Sequence, residues 1–112
     1  IYDCMTNKTT FMDPAIFQAK ASEAAALLRA MSNESRLRVL CRLAAEEVSV
    51  SEMQADIGLS QSALSQHLAV LRSGGLVATR REGQVIYYRL ADPAVIQVIE
   101  TLATIYCPEM LK

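Results

Sequence analysis

The stretch from Ser49 to Leu90 constrains the fold more than any other part of the chain. Ser49-Val50-Ser51-Glu52 has the serine-to-glutamate spacing of a capping box, in which each side chain satisfies a backbone N–H at a helix start. Gly58 stops that helix about two turns later. Ser60 caps a further helix at once, which runs to Ser73 and is stopped by Gly74-Gly75. Behind it, Leu76–Arg81 and Gln84–Leu90 are rich in β-branched and aromatic residues and read as two strands, with Glu82-Gly83 as the turn. Two short helices joined by a glycine turn form a helix-turn-helix, and a hairpin directly behind it is a wing.

The flanks supply the remaining elements. Asp13-Pro14 is an aspartate cap with proline at the first helical position, and an alanine-rich helix follows to Ala30. Ser32-Asn33 restarts the chain. Leu37, Leu40, Cys41 and Ala44 then fall at i, i+3, i+4 and i+7, which predicts the buried face of a second helix. Asp92-Pro93 repeats the cap-plus-proline start, and Pro108 ends the last helix near Cys107. The predicted order is ααααββα: mainly α with a β-hairpin wing, a winged helix-turn-helix. With 112 residues the chain holds one core, so residues 1–112 are read as a single domain, with 1–12 as a flexible N-terminal segment.

A net charge of −1 argues against nucleic acid only until its distribution is read. Between residues 60 and 90 Arg72, Arg80, Arg81 and Arg89 face Glu82 alone, so the helix-wing unit is locally basic in an otherwise acidic protein. The odd count of cysteines, Cys4, Cys41 and Cys107, argues against a disulfide framework and for free thiols in a reducing compartment. No apolar run is long enough to span a bilayer, and the chain, which begins at Ile1, opens without a basic-then-apolar leader. The expected location is the cytoplasm, with no membrane partner. A nucleophile–base motif and a phosphate loop are both lacking, so an enzyme is not expected.

In the helix after Ser60, Leu64, Leu68 and Leu71 share one face and must pack inward. Ser62, Gln66 and Ala69 lie opposite, with Ser65 to one side and Gln61 in the first turn. Gln and Ser can hydrogen-bond base edges, and the N–H groups at Ser60 can meet a phosphate. A merely solvated polar face is the alternative. His67 lies at the edge of the apolar face and reads as a boundary residue or a phosphate contact rather than a metal ligand. Arg72 suits either DNA or the helix's own C-terminal dipole. Adjacent strand residues alternate faces, so one of Arg80 and Arg81 points at DNA, with Gln84 after the turn. A solvated hairpin pairing with Glu82 is the competing reading.

The last helix is too apolar for a monomer. Val95, Ile96, Val98, Ile99, Leu102, Ala103, Ile105 and Tyr106 leave only Gln97, Glu100, Thr101 and Thr104 as a polar stripe. A surface helix normally buries one stripe, so the excess predicts a homodimer through the terminal helices. Such a dimer would fit a palindromic operator.

Leu59–Arg72, together with Gly74-Gly75-Leu76-Val77, the wing ending in Tyr87-Tyr88-Arg89-Leu90 and the upstream Leu28–Leu37, resembles the ArsR/SmtB family of bacterial winged-helix repressors. The resemblance covers roughly residues 20–110 and implies a repressor of double-stranded operator DNA. The family's Cys-x-Cys metal site before the DNA-reading unit has no match, since Val50-Ser51-Glu52-Met53 holds no cysteine. Its C-terminal metal site has none either, since Asp92 is followed by Pro93 and Ala94, and the last helix has no histidine. The remaining pair, Cys41 and Cys107, looks like that of the family's persulfide- and polysulfide-sensing branch. The implied inducer is a reactive sulfur species that links the two and releases DNA, without metal or cofactor. Read alone, Cys41 is a buried small hydrophobe or a sensor: Arg38 and Arg42 favour its thiolate and burial opposes it. The competing functions are a thiolate sensor for arsenite, Cu(I) or zinc that also uses Cys4, and a protein-interaction winged helix with no DNA role.

Overall fold

Both Asp-Pro pairs begin helices. Ala15 N donates to Asp13 Oδ1 and Ala94 N to Asp92 Oδ1, each at 2.9 Å, and each proline occupies the first turn, where its missing N–H costs nothing. A computed structural model describes residues 13–111. It contains α1 (Pro14–Met31), α2 (Glu34–Ala45), β1 (Val48–Ser49), α3 (Val50–Ile57), α4 (Gln61–Ser73), β2 (Val77–Glu82), β3 (Val85–Leu90), α5 (Pro93–Tyr106) and a 3-10 turn (Pro108–Leu111). The strands form one antiparallel sheet in the order β1-β3-β2. This is a winged helix-turn-helix, as expected. The proposed N-terminal segment 1–12, and Cys4 within it, lie outside the described residues.

The core is shared by the elements that carry the reading unit. Val39, Leu40 and Leu43 of α2 meet Met53 and Ile57 of α3, Leu64, Leu68 and Leu71 of α4, Leu76 and Tyr88 at the wing base, and Val95 and Ile99 of α5. A fully buried leucine contributes about 1.5–3 kcal/mol by leaving water, so this cluster sets the angle at which α4 is presented. The helix-turn-helix hinges on its stops. Gly58 takes φ 77° at the end of α3. At the end of α4 the second glycine, Gly75, takes the left-handed role with φ 76°. Gly75 N then reaches Arg72 O and Leu76 N reaches Leu71 O, both at 3.0 Å, which closes the helix and turns Leu76 into the core.

Four details depart from the sequence reading. The buried face of α2 is Val39, Leu40 and Leu43 rather than Leu37, Leu40, Cys41 and Ala44. That face is turned by about 100° from the expected one. Leu37, Cys41 and Ala44 form a second apolar stripe that faces α5, so Cys41 is exposed rather than buried in the core. The hairpin turn falls on Gly83-Gln84, because Glu82 pairs with Val85. Gly83 alone has positive φ there, at 65°, as a two-residue turn with glycine first requires. The hairpin also gains β1, where Val48 pairs with Tyr88 and Ser49 with Tyr87. Two residues are too few to show an alternating pattern. Finally, α5 ends at Tyr106 with Cys107 as its cap, and the chain continues past Pro108 into a 3-10 turn.

Ser49 closes β1 and caps α3. Glu52 N donates to Ser49 Oγ and Ser49 N to Glu52 Oε1, each at 3.2 Å, so the expected capping box forms. Because Ser49 is buried, water cannot replace these bonds. Ser49→Ala is therefore expected to cost about 1–2 kcal/mol in urea unfolding. A loss below about 0.3 kcal/mol would show that the cap is not used.

Candidate nucleic-acid interface and thiol pair

Ser60 Oγ accepts from Ala63 N at 3.2 Å and starts α4. Leu64, Leu68 and Leu71 then point into the core, which leaves Gln61, Ser62, Ser65, Gln66 and Ala69 exposed. The structure brings Gln61, Ser65 and Arg72 of α4 and Gln84 of the wing together along one open groove between α3, α4 and β3. Ser62 and Gln66 are exposed on α4 outside that groove. Ser51 and Gln54 of α3 also line it and were missed by the sequence reading. Their i, i+3 spacing on a short polar helix face was the available signal. All are hydrogen-bonding side chains of the type that contacts base edges and phosphates.

The two wing arginines separate cleanly. Arg80 lies on the strand face of Tyr87, its cross-strand partner, with its guanidinium carbon 4.4 Å from the ring centroid. Its Nη2 stands 2.8 Å from Glu47 Oε1, and its Nη1 donates to Glu82 Oε2 at 2.8 Å. Glu47, then Glu82, hold the guanidinium charged far beyond its ordinary range, and Arg80 in turn pulls the Glu47 carboxyl down. Its charge is thus compensated within the protein. Arg81 pairs with Ile86 and shares the face of Ile86 and Tyr88, which line the α4 groove. Arg72 sits in the last turn of α4, where it also suits the helix dipole.

His67 is half-buried at the edge of α4 and faces α2. Its Nδ1 is 3.5 Å from Arg36 Nη1. Arg36 also donates to Ala30 O at 2.6 Å and Arg29 O at 3.2 Å, so it ties the end of α1 to α4 through satisfied carbonyls. Beside a guanidinium, His67 is placed as a boundary contact.

Cys41 and Cys107 both line a groove of about 680 Å³ between α2 and α5, together with Leu37, Ala44, Ala45, Ile99, Leu102, Ala103 and Tyr106. Both thiols are free, Cys41 exposed and Cys107 half-buried. Arg38 and Arg42, expected to favour the Cys41 thiolate, are engaged elsewhere. Arg38 Nη2 donates to Ile57 O at 3.0 Å, and Arg42 Nε donates to Asp56 Oδ2 at 2.8 Å. The groove walls decide the matter: they desolvate the thiol and push its pKa up, and the neighbouring Cys107 sulfur raises it further. Among the described residues no three His, Cys, Asp or Glu side chains gather as metal ligands, and no helix is long and apolar enough to cross a membrane.

A raised pKa keeps Cys41 protonated and slow to react at neutral pH. The rate of its alkylation by iodoacetamide, followed by peptide mass, is expected to rise with a midpoint above the ordinary thiol range. Cys107→Ser should lower that midpoint without normalising it, because burial is the larger cause. A wild-type midpoint inside the ordinary range would contradict the desolvated position.

The comparisons with known proteins agree with this architecture. The sequence pattern of the "Bacterial regulatory protein, arsR family" matches residues 33–79, from the cap of α2 into β2. The transcriptional activator HlyU of Vibrio cholerae is 49% identical over 90 residues, which are 80% of this chain and 83% of that one. Its reduced form superposes with a TM-score of 0.78 at 48% identity, covering 81% of this chain and 96% of that chain. The transcriptional repressor BigR of Xylella fastidiosa superposes with a TM-score of 0.82 at 41% identity, covering 86% and 98%. These relatives are transcriptional regulators rather than enzymes. With its helix-turn-helix, its wing and identity of this extent, the chain belongs to the ArsR family of bacterial helix-turn-helix transcriptional regulators.

Proposed function

We propose that this regulator is a homodimeric repressor that holds palindromic operator DNA while its thiols are reduced, and lets go when reactive sulfur links Cys41 to Cys107. The observation that carries the reading is the pairing of two free thiols across one apolar groove, on helices that otherwise serve the core. A relative described in its reduced form supports a redox-dependent state. BigR is named a repressor and HlyU an activator, and repression is the sign we infer here. The dimer is supported by exposed apolar side chains on both terminal helices: Ile16, Phe17 and Leu28 on α1, and Ile96, Ile105 and Tyr106 on α5. A partner's terminal helices would cover them, and two α4 helices would then meet successive half-sites.

Linkage at Cys41 and Cys107 joins α2, which packs on α4, to the end of α5, which is the proposed dimer contact. A small shift there changes the spacing of the two reading helices. Coupling of about 1–3 kcal/mol corresponds to about a 5–150-fold loss of affinity.

Cys41→Ser and Cys107→Ser are each expected to bind operator normally yet fail to release it after persulfide treatment, while Cys4→Ser still releases. Mobility shift and intact mass report the two events. If Cys4→Ser is equally unresponsive, a three-thiolate metal site replaces this reading. On the DNA side, Arg81→Ala should weaken all sequences alike and flatten the salt dependence by about one unit. Arg80→Ala should leave that slope unchanged, because its charge is already met by Glu47 and Glu82. Gln66→Ala should cost about 1–3 kcal/mol on operator only, if it pairs with a base. Equal slopes for the two arginine variants would show that the docking face is misassigned.

A further inference from the structure

Cys41 stands on a wall between two grooves. Glu34, Leu37, Arg38, Cys41 and Arg42 recur at i, i+3, i+4, i+7 and i+8, so they form one stripe along α2. With Asp56 and Ile57 of α3 they line an open outer groove of about 830 Å³. Cys41 lines this groove and the apolar inner one, whereas Cys107 lines only the inner one.

The two grooves differ in charge. The inner groove has no Asp, Glu, Lys, Arg or His in its walls. The outer groove carries two guanidinium and two carboxylate groups. Arg42 is compensated by Asp56 at 2.8 Å and Glu46 at 3.3 Å. Arg38 gives its hydrogen bond to a neutral main-chain carbonyl, Ile57 O, and among the described residues it forms no ion pair. Glu34 likewise has none, and it lies one turn from Arg38. The outer groove therefore offers an uncompensated cation one turn from the thiol and an uncompensated anion one turn beyond.

We propose that the outer groove docks the incoming sulfur donor, and that this donor is the persulfide of a zwitterionic amino-acid thiol whose carboxylate is held by Arg38. The proposal rests on the reading of Cys41 and Cys107 as a sulfur-linked pair. Spacing supports the assignment. Residues at i and i+3 stand about 5–6 Å apart at Cβ. Arg38 stands between Cys41 and Glu34 along the same groove, so a donor carboxylate on Arg38 has the thiol on one side for its sulfur and Glu34 on the other for its ammonium.

The chemistry balances without a further oxidant. The Cys41 thiolate attacks the outer sulfur of the donor RSSH. The donor's S–S bond breaks, RS⁻ leaves and takes up the proton, and Cys41 carries S–SH. That persulfide attacks a second docked donor in the same way and lengthens its chain by one sulfur. The Cys107 thiolate, in the inner groove, then attacks the sulfur next to Cys41 Sγ and expels the terminal sulfur as hydrogen sulfide. Two donors become two thiols, one hydrogen sulfide is released, and a three-sulfur bridge remains. Each donor is reduced as its sulfane sulfur oxidises the protein thiols.

The test compares persulfides generated from cysteine and from cysteine ethyl ester, which differ only in the carboxylate. The rate of Cys41–Cys107 linkage is read by intact mass under matched conditions. Wild type is expected to favour the acid over the ester by about fivefold to tenfold, Arg38→Gln to lose that preference, and Arg38→Lys to keep part of it. Operator binding by each reduced variant checks that it is folded, and Arg38→Lys keeps the test open if Arg38→Gln is not. An acid-to-ester ratio that is the same in wild type and variants overturns the docking site, while linkage by both reagents would leave the switch itself standing. Failure of both reagents to link the wild-type thiols overturns the switch and this proposal together.

Discussion

The burial of one face of α2 is the constraint on which the other contacts depend. Val39, Leu40 and Leu43 are nearly inaccessible to solvent, and α2 packs against α1, α3, α4, α5 and β3. Interiors are close-packed, so a helix held on that many sides transmits displacement instead of absorbing it. The same helix presents Leu37, Cys41 and Ala44 on another face. Core and candidate sensor therefore share one rigid element, a quarter-turn or so apart. A chemical change at Cys41 cannot stay local if it pulls on the end of α5.

Electrostatics are arranged just as economically. The chain is acidic as a whole, yet its helix-wing unit is basic. A count of arginines overstates what is offered to a phosphate backbone. Arg80 is pinned by Glu47 and Glu82 over Tyr87, and Arg36 is spent on carbonyls at the end of α1. Arg80 orders the back of the wing, which leaves Arg81 on the face that meets α4. The alternation of the strand makes this division of labour possible, because two adjacent arginines necessarily look in opposite directions.

The thiol pair shows how the environment decides reactivity. Two cationic neighbours in sequence would lower the pKa of Cys41, but Arg42 is paired with Asp56, Arg38 bonds the Ile57 carbonyl, and desolvation raises it. Proximity along a helix is not contact. A protonated, desolvated thiol beside a second thiol is poorly suited to casual oxidation and better suited to a partner reagent brought close to it.

Local signals in the sequence were sufficient for much of this. The aspartate caps, the capping box at Ser49, the stops at Gly58 and Gly74-Gly75, and the inward leucines of α4 depend on residues within a few positions of each other. Backbone geometry and helical period make such features legible without a fold. Tertiary structure decided what depends on distant partners. It turned the buried face of α2, because two apolar stripes compete on that helix and only packing chooses between them. It paired β1 with β3, since two residues carry no period and need a neighbouring strand to define them. It joined Arg80 to Glu47 across 33 positions, and it brought Cys41 and Cys107 to the walls of one groove. In each case local geometry allowed several partners, and only the non-local burial of the core selected one.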